Sequence, residues 1–104
     1  MAEMDLRMAR LHLLAQVLEA DGIVTESEHA FLDRHMTAQG LSREERGLIR
    51  GGKGRPEAMA FLRGLSTVTR EKLVNELAEA ALADGKLSPL ETHAIRKLSE
   101  ALGL

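Results

Sequence analysis

The sequence contains no cysteine, no tryptophan and no tyrosine, and has only two phenylalanines and two prolines in 104 residues. Without cysteine there is no disulfide framework, no thiol nucleophile and no Cys-ligated zinc or iron–sulfur site. With so few aromatic rings there is little on which nucleic-acid bases could stack. No apolar run approaches the ~20 residues that span a bilayer. The acidic start Met1-Ala2-Glu3-Met4-Asp5 leads into no apolar signal segment. A cytoplasmic location is therefore expected. Val, Ile and Thr are too scattered to build strands.

What remains is rich in Ala, Leu, Glu, Arg and Met, all good helix formers. The expected fold is all-α, one domain over residues 1–104, a bundle of about six helices with a Leu, Met and Ala core. Met4, Met8, Leu11, Leu14, Ala15 and Leu18 recur at helical spacing, which predicts a first helix from about Met4 to Ala20 with one apolar face. Thr25 opens a second helix, with Phe31, Leu32, His35 and Met36 inward. Gly40-Leu41 reads as its glycine cap. Ser42-x-x-Glu45 is a capping box that starts a short third helix, which ends in a flexible loop, Gly51-Gly52-Lys53-Gly54. Pro56 suits the first turn of a fourth helix carrying Met59, Phe61 and Leu62. Ser66 to Thr69 offers caps for a long fifth helix ending near Ala83, whose apolar residues are Leu73, Leu77, Ala80, Ala81 and Leu82. Ser88 and Pro89 open a sixth, lined by Ile95, Leu98 and Leu102 and closed by Gly103-Leu104.

One motif occurs twice, Ala-Asp-Gly-x-(Val/Leu)-(Ser/Thr)-x-x-Glu at 20–28 and 83–91. The order long helix, turn, helix, basic middle, long helix, turn, helix suggests two helix–turn–helix units related by a pseudo-twofold axis. Most of the motif is accounted for by helix ends. The glycine stops one helix, and Thr25-x-x-Glu28 and Ser88-x-x-Glu91 are capping boxes for the next. The aspartates are not accounted for in this way. Asp21 and Asp84 fall at a helix C-terminal end, where the dipole disfavours an acid by about 0.3–1 kcal/mol. A cation would explain them. Asp, Gly, Ser/Thr and Glu match positions five, six, nine and twelve of an EF-hand loop. Positions one and three would be Val17 and Glu19 in one copy, Ala80 and Leu82 in the other, so neither copy chelates calcium alone. If the turns meet, Asp21, Glu28, Asp84 and Glu91 form a four-carboxylate cluster suited to Ca²⁺, Mg²⁺ or Mn²⁺.

At these residues, Leu18 to Glu28 and Leu82 to Glu91, the chain resembles the TerB-like family of tellurite-resistance proteins, which includes the N-terminal domain of a membrane-anchored DnaJ-like co-chaperone. The likeness covers most of the chain. It implies an all-α domain, a divalent-cation site at Asp21, Glu28, Asp84 and Glu91, and a place in complexes that answer chemical stress.

Other constellations are weaker. Glu26-x-x-His29 is half of a di-iron motif, but Glu91-x-His93 has the wrong spacing for the other half. His29 and His93 read as surface residues, and His12 and His35 as helix-face residues without partners. Gly47 to Gly54 imitates a P-loop but lacks the hydroxyl after Lys53 and any preceding strand. The basic middle, Arg43, Arg46, Arg50, Lys53, Arg55, Arg63, Arg70 and Lys72, reads as a solvated face, with an acidic protein or phospholipid surface as the alternative contact. Nucleic acid is not expected, because the net charge is −2. No nucleophile–base set is visible. The expectation is a non-enzymatic domain that binds a divalent cation in a tellurite-resistance context. The alternative is a helical protein-interaction or co-chaperone-like adaptor whose turns are purely structural. A protein partner and peripheral membrane contact are both expected.

Overall fold

The computed structural model describes residues 4–20, 25–83 and 88–104. Among them are six helices: α1 (Leu6–Leu18), α2 (Glu26–Ala38), α3 (Arg43–Gly51), α4 (Arg55–Arg63), α5 (Thr67–Ala83) and α6 (Pro89–Ala101). The all-α bundle expected from composition is present, and its ends are fixed by local chemistry. Helix α1 starts two residues later than its apolar spacing predicts, because Asp5 is spent as the cap: its Oδ1 accepts from the Met8 N–H at 3.0 Å. Helices α2 and α6 end alike. Gly40 has φ 69° and Gly103 φ 77°, so the chain turns left-handed without a Cβ penalty. The Leu41 N–H then bonds the Met36 carbonyl at 3.1 Å, and the Leu104 N–H the Ser99 carbonyl at 2.9 Å. This is the Schellman closure, which satisfies carbonyls that a helix end leaves open.

The expected link between α3 and α4 needs correction. The flexible loop at Gly51–Gly54 is a tight turn. Gly51 belongs to α3, the Lys53 N–H bonds the Leu48 carbonyl at 3.1 Å, and Gly54 is already the N-cap of α4. On α5 the apolar residues divide: Leu82 is 53% exposed, while Val74 takes a core position. The cause is helical phase: Leu73, Leu77 and Ala81 share a face with Val74, and Leu82 lies round from it.

The main departure concerns α1. Its expected single stripe is instead burial nearly all round: Met8, Ala9, Leu11, His12, Leu13, Leu14, Ala15, Val17 and Leu18 are all buried. The helix packs against each of the other five, and beyond it only α5 and α6 form an extended pair among the described residues. The helix pairs of the repeat, α1 with α2 and α5 with α6, are in contact but differ in burial, and the segments that join them lie outside the described residues. At the centre lies His12, 1% exposed, with neither ring nitrogen hydrogen-bonded. Its Nε2 lies 3.3 Å from where a Cβ on Gly54 would stand, and Gly54 has φ 98°, so this position takes only glycine without strain.

Arginines hold the helix ends from other elements. Arg7 of α1 donates to the Gln39 carbonyl at the end of α2 at 2.9 Å, and Arg46 of α3 to the Leu41 carbonyl at 3.3 Å. Arg55 of α4 pairs with Glu19, the C-cap of α1. Arg63 of α4 donates to the Ala101 carbonyl at 3.3 Å, and Arg70 of α5 to that of Leu102. Each places positive charge where a helix dipole is negative.

Arg70→Met keeps the aliphatic stem but loses the bonds to Leu102 and Thr67, so urea unfolding should show a loss of about 1–2 kcal/mol. Lys72→Met, at an exposed position, should change stability by less than ~0.5 kcal/mol. Acid should act through His12. Burial, reinforced by the nearby Arg55 charge and opposed by Glu57, holds the His12 pKa below the ordinary histidine value. The unfolded chain then binds a proton that the native one refuses, so stability is full above about pH 6.5 and falls as pH drops below it. Between pH 7.5 and 5.5, His12→Met should flatten this dependence in parallel denaturation curves.

Candidate functional site

The repeated motif places one carboxylate in the first turn of α2 and another in the first turn of α6. Both helices open on a β-conformation hydroxyl residue, Thr25 with ψ 164° and Ser88 with ψ 161°, and both boxes are closed. The Glu28 N–H donates to Thr25 Oγ1 at 3.2 Å, and the Thr25 N–H and Oγ1 both donate to Glu28 Oε1 at 3.1 Å. The Glu91 N–H donates to Ser88 Oγ at 3.1 Å, and the Ser88 N–H to Glu91 Oε1 at 3.4 Å. The geometry is the same twice, and looser in the second copy.

The consequence is burial of charge. Glu28 and Glu91 are each 8% exposed, and they are the acidic residues among the buried polar groups. Neither forms an ion pair with an arginine or lysine among the described residues. A carboxylate taken out of water needs hydrogen bonds or a counter-charge. The cap supplies donors to Oε1, and the helix N-terminus supplies partial positive charge. Each carboxylate also carries Oε2, a hard oxygen that the cap does not use.

The other two residues of the expected set, Asp21 and Asp84, lie outside the described residues. Glu28 and Glu91 are brought onto helices that both pack on α1. Among the described residues, no three His, Asp or Glu side chains converge as a metal-holding group.

The remaining sequence motifs resolve by placement. His29 and His93 are exposed, as is Glu26. His35 is half-buried, edge-on to Phe31 with ring centroids 4.6 Å apart. Residues 47–51 of the P-loop look-alike are helical. The basic middle is not simply solvated: besides the arginines at helix ends, Arg50 pairs with Asp33 and Arg46 reaches Thr37 Oγ1 at 2.9 Å. Two features escape sequence reasoning. One is the buried His12, for which the signal was a run from Leu11 to Val17 broken only by His12 and Gln16. The other is a cavity between α1, α2 and α5, for which the sequence carries no signal.

Thr25→Ala and Ser88→Ala each remove the hydroxyl from a closed box. Thermal unfolding should show a loss of about 1 kcal/mol for each, larger at Thr25, whose hydroxyl makes the additional bond to Glu28.

The family model described as tellurite resistance protein TerB matches residues 7–104, a stretch that contains both acidic turns. No curated protein and no solved structure matches the chain.

Proposed function

Because the chain belongs to the TerB family of tellurite resistance proteins, we propose that it is a non-enzymatic domain that binds a divalent cation through Asp21, Glu28, Asp84 and Glu91. The observation that carries this reading is the pair of buried carboxylates at equivalent helix starts, Glu28 and Glu91, without a basic partner among the described residues. A bound Ca²⁺, Mg²⁺ or Mn²⁺ would offset their charge, and all four residues offer the hard oxygens such ions take. It would also give the twice-repeated aspartates, Asp21 and Asp84, a role that helix capping does not supply. Tellurite resistance is the family's context, and a protein partner, a membrane-peripheral site of action and a cytoplasmic location belong to the same proposal.

The closed capping boxes favour a second reading, an interaction or adaptor module whose turns are purely structural. One pair of substitutions separates the two. Gln closes a capping box as Glu does, but it is a poor cation ligand. If the domain binds an ion, Ca²⁺, Mg²⁺ or Mn²⁺ at a hundred times its Kd should stabilise the wild type by about 2.7 kcal/mol. Glu28→Gln/Glu91→Gln should then fold normally and lose that gain, as should Asp21→Asn/Asp84→Asn. A wild-type melting temperature indifferent to all three ions leaves the structural reading standing.

A further inference from the structure

A cavity of about 80 Å³ opens between α1, α2 and α5. Its wall is aliphatic: Leu11, Leu13 and Leu14 from α1, and Leu73, Leu77 and Ala80 from α5. Its mouth is polar: Arg10, His35, Gln39 and Glu76. None of these residues belongs to the acidic set, so the cavity stands or falls independently of the proposed cation site.

The two halves of this cavity ask for different chemistry. The wall excludes polar groups, and its volume is roughly half that of an engineered aliphatic cavity that holds benzene. That is room for a short tail of about three or four carbons. The mouth holds one charge of each sign, with a further cation, Arg34, beside its His35. Arg10 and Glu76 form an ion pair there, each 38% exposed. A pair this exposed contributes about 0–1 kcal/mol, so another carboxylate can replace Glu76 on Arg10 at small cost. Arg34 adds a second positive charge: it sits 5.9 Å from the Phe31 ring centroid and acts electrostatically on His35. His35 and the Gln39 amide supply neutral donors beside Arg10.

We propose that this cavity is a binding site for a short-chain aliphatic carboxylate, with the tail between the α1 and α5 leucines and the carboxylate on Arg10 in place of Glu76. The site is built from rigid helices, and Arg10 is held on the central helix of the fold. Its selectivity would come from the join between an aliphatic slot and a guanidinium at its mouth.

Methyl NMR suits the test, because leucines line the slot and the chain has no tryptophan or tyrosine to report by fluorescence. The probes are 3-methylbutanoate, and 3-methylbutanol as the neutral isostere. The expected result is saturable shifts of the Leu11, Leu14, Leu73 and Leu77 methyls with the acid, and binding about tenfold weaker or more with the alcohol. Ala80→Leu fills the cavity without threatening the fold, and should abolish the shifts. Arg10→Gln should weaken the acid to the level of the alcohol. Equal binding of acid and alcohol, or acid binding untouched by Arg10→Gln, overturns the assignment of the carboxylate. Shifts that persist in Ala80→Leu, or a wild-type slot that takes neither probe and so at most seats a partner's side chain, overturn the site.

Discussion

The rest of the structure depends on the burial of α1. A helix of thirteen residues that is apolar on nearly every side cannot lie on a surface. It has to be enclosed, and the other five helices are arranged to do so. This accounts for features that look unrelated in the chain. The short helices α3 and α4 exist to close two sides of α1 and are joined by a three-residue turn because nothing longer is needed. Gly54 is where it is because the His12 ring occupies the space its Cβ would fill.

Enclosing one helix with short ones creates many helix ends in a small volume, and each end leaves carbonyls or amides without partners. The N-termini are served locally, by Asp5, Thr25, Ser42, Ser66 and Ser88. The C-termini are served by Schellman closures and by arginines from elsewhere in the fold. This division explains the basic middle of the chain. Four of its arginines, Arg46, Arg55, Arg63 and Arg70, lie close to the places where α1, α2 and α6 finish and complement their dipoles, while Arg43 and Arg50 stay exposed.

What could be read from the sequence was what local rules decide. The capping boxes at Thr25, Ser42 and Ser88, the glycine closures at Gly40 and Gly103, and Pro56 at the head of α4 are set by neighbours three or four residues away. Of the candidate site, Glu28 and Glu91 are legible at the same level, because the spacing that caps a helix marks them, and their burial is not. Apart from the tight turn at Gly51–Gly54 and the Asp5 cap of α1, which are local, the misses are tertiary. His12 was assigned to a helix face because a polar residue is usually taken to mark one, and only the surrounding helices show that no face is free. Which apolar residues of α5 face the core, Leu73, Val74 and Leu77 but not Leu82, is decided by the helix register and not by composition. The helix-end contacts of Arg7, Arg55, Arg63 and Arg70 each span more than thirty residues, and no spacing rule reaches that far.

The central position of α1 also has a meaning in time. A ribosome delivers this helix before any of the five that cover it. At about 5–20 residues per second, several seconds separate the appearance of Leu14 from that of Leu98 and Leu102, the last buried leucines. During synthesis the most apolar segment of the fold is therefore the one that waits longest for its shelter. Four polar residues, Arg7, Arg10, His12 and Gln16, are all that breaks its apolar surface in the interval. After folding, two of them serve as anchors: Arg7 for the end of α2, and Arg10 for α5 through Glu76.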